Sequence, residues 1–252
     1  MNLLQKRSKV ELNSSPVFIA EPEIRPDQGH GSQRLSVGAG SRDNQLFSEI
    51  EWRPVYHGLL DRDEGFVRGS AITFFDFRFR HYETNNLRVE EVKAVEAISL
   101  TPHTAFVKPL SWRLNISASR KRLRDSQEPI IAKLDGGVGY TKELGKTALL
   151  FGLAEAEANW SGDLVDNYAL GAGAQVGAVV DILPIWRMIF RGRLLRFGLG
   201  DDHNSKQIHL SQRFSLTRNQ TIEVSLSRTQ EHEEYLNEGM IRWHVYFRRL
   251  GF

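Results

Sequence analysis

Over most of its length the chain alternates apolar and polar residues with period two, the pattern of strands with one oily face and one wet face. Trp112, Leu114, Ile116 and Ala118 share one side of such a strand, with Arg113, Asn115, Ser117 and Ser119 on the other. Ala132, Leu134, Val138 and Tyr140 stand likewise against Lys133, Asp135, Gly137, Gly139 and Thr141. The pattern recurs with Leu35, Val37 and Ala39 against Arg34, Ser36 and Gly38, and with Ile222, Val224 and Leu226 against Glu223, Ser225 and Ser227. At the end of the chain Ile241, Trp243, Val245 and Phe247 oppose Arg242 and His244. Extending the template predicts about twelve strands, at 33–41, 46–56, 66–82, 87–100, 110–120, 131–142, 147–158, 168–181, 184–196, 206–216, 221–231 and 239–248. Segment 87–100 fits least well: Val92, Val95 and Ile98 fall at helical spacing, which suits a bulge or a short helix. Residues 1–32, with Pro16, Pro22 and Pro26 and no sustained period, are expected to be a linker or the remnant of a preceding domain, leaving 33–252 as the barrel.

Alternation alone suits a soluble β-sandwich as well as a membrane barrel. Three features favour an all-β fold of the second kind, a closed antiparallel transmembrane β-barrel of about twelve strands. Many segments run about 10 to 14 residues, longer than the five or six usual in globular proteins and long enough to cross a bilayer. The wet face is charged as well as polar. Glu49, Glu51, Arg53, Asp76, Arg78, Arg80, Arg113, Lys133, Asp135, Arg187, Arg191 and Arg213 are expected to line a lumen as mixed-sign pairs. Aromatics gather near predicted strand ends, at Trp52, Tyr56, Tyr82, Trp112, Tyr140, Trp160, Tyr168, Trp186 and Trp243, where a bilayer barrel carries its girdles. With both termini periplasmic, the outer loops near 121–130, 159–167, 197–205 and 232–238 are expected to exceed the inner turns near 143–146, 182–184 and 217–220. The inner connections at 57–65 and 101–109 break that rule. Lipid offers the backbone no hydrogen-bond partner, so strands enter it only as a closed sheet.

Composition adds exclusions. Lys and Arg number 33 against 31 Asp and Glu, so no strong field is aimed at nucleic acid. Cysteine is absent, which removes disulfides and thiolate chemistry. No apolar run reaches the roughly 18 to 20 residues of a transmembrane helix. The opening MNLLQKRSKVELNSSP has no apolar core behind its basic cluster, and no signal peptide is expected in it.

At PDQGHGSQRLSVGAG, EWRPVYHGLLDRDEGF, AISLTP and SWRLNIS the chain resembles the C-terminal part of a Gram-negative family. Its members join the Lnb N-terminal periplasmic domain to a carboxy-terminal region like an outer-membrane barrel. The resemblance runs from about residue 26 to the end, and the block around Arg53, Pro54, His57, Leu60 and Asp61 is its most specific part. It implies placement in the outer membrane of a Gram-negative bacterium, with lipid and lipopolysaccharide as surroundings. It also implies a periplasmic domain or protein as partner.

Four groups are candidates for chemistry. His57 and Asp61 suit a base and its orienter, with Ser70 or Ser99 as nucleophile, although a turn ordered by the Asp61 carboxylate explains the same residues. Asp201, Asp202 and His203 offer oxygen and nitrogen ligands to a divalent ion, or form a solvated loop tip. Arg120, Lys121, Arg122 and Arg124 are placed to hold lipopolysaccharide phosphates, or to form a charged loop. GAGAQVG at 171–177 mimics a nucleotide fingerprint, but inward-facing small residues of a strand account for it better, and no cofactor is expected. The leading expectation is a membrane anchor or scaffold for a periplasmic domain. A narrow pore for small polar solutes and a lipase-like barrel hydrolase using His57 are the alternatives.

Overall fold

A computed structural model describes Arg25 and residues 28–83, 87–104, 107–124 and 127–248. The proposed linker therefore lies largely outside the described residues. Within its described end, His30 is buried, with its Nε2 3.0 Å from His57 Nδ1.

The strands are β1 (Gln33–Arg42), β2 (Gln45–Arg53), β3 (Val55–His57), β4 (Ser70–Tyr82), β5 (Leu87–Ser99), β6 (Ser111–Arg120) and β7 (Ile130–Leu144). They continue as β8 (Ala148–Trp160), β9 (Tyr168–Leu183), β10 (Trp186–Gly200), β11 (His203–Thr217), β12 (Gln220–Glu231) and β13 (Glu234–Phe247). Each pairs antiparallel with its neighbours, and β1 closes on β13 from Gln33 opposite Phe247 to Arg42 opposite Glu238. The sheet has no free edge. Strands β2 and β3 both pair with β4 and are parted at Pro54, which has no N–H to give the ladder. They act as one stave, so the barrel has twelve.

The predicted strands are all present, and the weakest is instructive. Strand β5 is a strand with two irregularities, where Arg78 gives way to Phe79 opposite and where Lys93 gives way to Val95. Each extra residue flips the alternation, which is why its apolar residues fell at helical spacing. The flips turn the consecutive Glu90 and Glu91 both toward the inside.

Inside and outside are inverted relative to a soluble protein. Glu51 and Arg80 expose 2% and 1% of their surface, whereas Leu194 and Ile208 expose 59% and 56%. The thirteen residues of β8 span about 40 Å, or roughly 30 Å along the axis at a tilt near 40°, enough for the hydrocarbon core. Trp52, Trp112, Tyr140 and Trp243 ring the end that carries the described chain ends, called here the near end. Trp160, Tyr168 and Tyr235 ring the far end. Tyr82 departs from expectation: its ring turns inward and packs with Phe47 and Met240.

Loop lengths also differ from the expected pattern. The far-end connections expected at 197–205 and 232–238 shrink to the five residues 198–202 and the tight turn 232–233, because the ladders run on to Phe197–His203 and Glu231–Glu234. His232 and Glu233 take left-handed φ of 47° and 74°, the conformation that two-residue hairpins require. The longest described connections, 58–69 and 100–110, lie at the near end.

Candidate functional site: a charged lumen with two covers

The near-end loop 58–69 folds up into the barrel mouth, and its apolar and polar residues divide the work of holding it. Leu59 and Leu60 pack on a cluster that includes Leu100, Leu149, Phe151, Val179 and Ile189. Asp61 is the polar anchor. Its carboxylate accepts hydrogen bonds from Arg53 Nη2 at 2.5 Å, Tyr246 OH at 2.6 Å and the Gly58 amide at 2.7 Å. Arg34 approaches at 3.5 Å. Burial by itself would raise the Asp61 pKa, but the Arg53 and Arg34 guanidinium groups hold it well below the carboxylate range. From β10, Arg187 donates to the carbonyls of Leu59 (3.3 Å) and Asp61 (2.8 Å) and to Asp63 Oδ1 (2.7 Å). Burial opposes ionisation of Asp63 too, but hydrogen bonds from Arg187, with His57 nearby, hold its pKa down to about 2. The loop ends at Gly69, whose φ of +75° and closeness to Leu100 O (2.8 Å from an added Cβ) leave no room for a side chain.

His57 sits on the wall beside this anchor. Its ring stacks on Phe66 at 4.2 Å, and its Nδ1 lies 3.0 Å from His30 Nε2. His30 in turn donates from Nδ1 to Gly31 O, and burial lowers its pKa.

Above the cover the lumen is filled by ion pairs. Glu49 accepts from Arg80 Nε (2.6 Å) and Arg242 Nε (2.8 Å), and Glu51 pairs with Arg34. On the opposite wall Arg113 joins Asp135 and Glu155, and Arg193 joins Glu155 (2.8 Å) and Glu157 (2.5 Å). Glu223 ties Arg242 to His244. A cavity of about 460 Å³ remains, lined among others by Asp76, Arg78, Lys93, Arg191 and His209. Small residues make room for the larger groups: a Cβ on Gly171 would lie 2.7 Å from the Phe197 ring, and one on Gly177 would strike Phe151. The small-residue reading of 171–177 is therefore the structural one.

The far end carries a second cover, formed among the described residues by 121–124 and 127–129. Leu123 enters an apolar cluster with Ile131, Leu164, Ala169, Leu195 and Phe197. Arg122 crosses the mouth to Asp43 and also bonds Glu128 at 2.8 Å. Glu128 meets Arg88 (3.0 Å) and Arg42 (3.3 Å). Burial would raise the Glu128 pKa, but Arg42 and Arg122 lower it below the ordinary value.

Every residue expected in the lumen is turned inward: Glu49, Glu51, Arg53, Asp76, Arg78, Arg80, Arg113, Lys133, Asp135, Arg187, Arg191 and Arg213. The four basic residues expected to meet lipopolysaccharide have internal partners. Arg120 donates to Val89 O and Glu128 O, Lys121 pairs with Glu157 and Glu231, Arg122 is engaged as above, and Arg124 reaches Asp201. The hydrolase arrangement is not assembled. Ser70 Oγ donates to Val67 O and Ser99 Oγ pairs with Thr101, so neither serine serves His57. Nor does Asp61 orient that ring, its oxygens being bound to Arg53, Tyr246 and Gly58; the carboxylate facing His57 Nε2 is Asp63, at 3.8 Å. What holds is the turn ordered by Asp61. Asp202 stands apart from the expected metal group, exposed and paired with Arg196, while Asp201 and His203 are buried next to His232. The sequence reading missed His30, Asp63, Glu231 and His232. Tyr246 was legible, since it shares the inward parity of Arg242 and His244.

An inverted, closed twelve-stave sheet with aromatic rings at both ends defines a β-barrel of the outer-membrane type. The chain belongs to the family described as "Domain of unknown function (DUF7840)", whose pattern matches residues 23–246. No curated protein matches the sequence. Among solved structures, the barrel is similar to an outer membrane channel from Pseudomonas putida F1, with a TM-score of 0.51 and 12% identity over 93% of this chain and 99% of that one. It is also similar to the NanC porin, with a TM-score of 0.50 and 10% identity over 85% of this chain and 99% of that one. At such identities the likeness shows the shared fold.

Proposed function

We propose that this barrel is a closed outer-membrane anchor, a scaffold that holds a periplasmic domain or partner at the membrane rather than an open pore. The observation that carries the reading is the near-end cover. Loop 58–69 is tied to the wall by Asp61 on one side and Arg187 on the other, and its leucines seal an apolar cluster. A gate that opens readily would not be held by buried, hydrogen-bonded charges on both sides, since breaking such a pair costs about 3–5 kcal/mol. The far-end cover and the ion pairs between them leave a charged chamber rather than a passage. The anchored partner is taken to be the kind of periplasmic domain implied by the sequence resemblance.

The test is a fusion in which a signal peptide and a soluble periplasmic reporter precede the barrel in a Gram-negative host. The reporter should sediment with outer-membrane fractions while uptake of small hydrophilic dyes stays at the level of cells lacking the barrel. A soluble reporter, or dye uptake rising with barrel expression, contradicts the proposal.

A further inference from the structure

The geometry points to a transition-metal site at the far-end rim, built by Asp201, His203 and His232 with Glu231 beside them, that takes a zinc-like divalent ion. Two neighbouring hairpins bring these residues together: the 201–202 turn joins β10 to β11, and the 232–233 turn joins β12 to β13. One ligand atom from each of Asp201, His203 and His232 lies within 4.8 Å of the others. The site is buried, with His203 and His232 side chains exposing 2% and 1% of their surface.

The hydrogen bonding leaves ligand atoms over. His203 Nδ1 lies 2.7 Å from the Asp201 carbonyl, which can only accept, so Nδ1 carries the proton. Its Nε2 therefore presents a lone pair. That is how a backbone carbonyl commonly prepares a histidine to bind metal through the other nitrogen. Opposite Nε2, at 3.2 Å, stands Glu231 Oε2, a second acceptor. Glu231 Oε1 is occupied by Ser205 Oγ at 2.8 Å and Lys121 Nζ at 3.4 Å, but Oε2 has no hydrogen-bond partner. His203 Nε2 and His232 Nδ1 also lack hydrogen-bond partners, whereas His232 Nε2 donates to Asp201 Oδ2 at 3.2 Å and Asp201 Oδ1 is paired with Arg124 at 2.9 Å. Two acceptors facing each other in a buried place must be bridged, by a proton on Nε2 or by a bound cation, and the third and fourth donors beside them suit the cation.

Distances and donor types define its class. His203 Nε2 and Glu231 Oε2, the two unpartnered atoms, stand 3.2 Å apart. A tetrahedral ion with bonds of about 2.0–2.1 Å has ligand separations near 3.3 Å. Two imidazoles and two carboxylates suit zinc and its first-row neighbours, whereas calcium and magnesium prefer oxygen alone. The two rings now stack at 3.9 Å, and each must turn about its Cβ–Cγ bond to aim at a shared ion. Arg124, which is half exposed, holds Asp201 Oδ1 and the Asp202 carbonyl, each at 2.9 Å, and must swing outward as the ion enters. The other histidine cluster, His30 with His57 and Asp61, lacks this provision, because donors already occupy the Asp61 oxygens.

The test is metal analysis of the folded barrel in detergent, stripped with chelator and titrated with Zn²⁺. One zinc ion per chain is expected, with affinity falling about tenfold or more in His203→Gln and in His232→Gln but unchanged in Asp202→Asn. Heat-dependent gel mobility checks that each variant is folded. If the histidine variants fail to fold, Co²⁺ added to the wild-type barrel should give the intense visible bands of a four-coordinate site. Absence of Zn²⁺ binding, binding that survives both histidine substitutions, equal uptake of Ca²⁺, or a six-coordinate cobalt spectrum overturns the assignment.

Discussion

Replacing Asp61 with Asn removes one charge from the point where the near-end cover is tied to the wall and leaves the side chain's size unchanged. Arg53 Nη2 and Tyr246 OH, now 2.5 and 2.6 Å from the carboxylate, would face a neutral amide. Arg34 would retain Glu51 alone. Removing one member of a buried, hydrogen-bonded ion pair costs about 3–5 kcal/mol. The bonds from Arg187 to the Leu59 and Asp61 carbonyls are untouched, so the loss falls on docking of the loop rather than on the sheet. At about 1.4 kcal/mol per factor of ten, the balance between docked and released loop shifts by a hundredfold to roughly a few thousandfold. Val179, 1% exposed in the apolar cluster under Leu59 and Leu60, offers a reporter position. The chain has no cysteine, so Val179→Cys provides a single thiol whose labelling rate tracks the released fraction. Adding Asp61→Asn should speed labelling by the factor above while the heat-dependent gel shift of a folded barrel persists. Equal labelling rates with and without Asp61→Asn would refute the claim that this carboxylate locks the cover.

Acid should release the same lock only at low pH. Asp61 and Asp63 are held below the unfolded value of about 3.9, so their stabilisation is complete above that value and fades as pH falls through the folded pKa, about 2 for Asp63. Labelling of Val179→Cys, divided at each pH by the rate for a free thiol, should stay flat from neutral pH to about 4 and rise below it; a rise in that ratio between about pH 7 and 5 contradicts the assignment. Gly171→Ala should destabilise the barrel by about 1–3 kcal/mol in urea unfolding, because its Cβ would lie 2.7 Å from the Phe197 ring. Phe197→Leu in the same chain should recover part of that loss, and strictly additive losses would count against the contact. Leu114→Arg, on the outward face of β6, should cost about 2–4 kcal/mol in unfolding from lipid vesicles if it sits near the midplane. No change would mean that this face does not meet lipid.

Period-two patterning carried the fold, because in a barrel the parity of a residue decides whether it meets lipid or lumen. Arg113 and Leu114 were assigned opposite sides from parity alone, and so they lie. Parity failed where an extra residue enters a strand, as in β5, where the helical spacing of Val92, Val95 and Ile98 signalled an irregularity but could not separate a bulge from a short helix or count two of them. It was also silent on loops. Nothing in HGLLDRDEGF shows that Leu59 and Leu60 turn inward, since that depends on the apolar floor supplied by Leu149, Phe151 and Val179 far along the chain. Arg120 to Arg124 looked like a surface patch because their acids, Asp43, Glu157, Asp201 and Glu231, come from strands and turns brought near only by closure. The rim cluster was half visible in GLGDDHNS; its other half, Glu231 and His232, sits one hairpin away.

The most direct test of the closed-anchor account is planar-bilayer recording on the purified wild-type barrel, with Asp61→Asn recorded alongside. The account predicts a silent membrane for the wild type despite verified insertion, and intermittent current steps once the lock on the near-end cover is removed. Steady, uniform channels from the wild-type protein would contradict it.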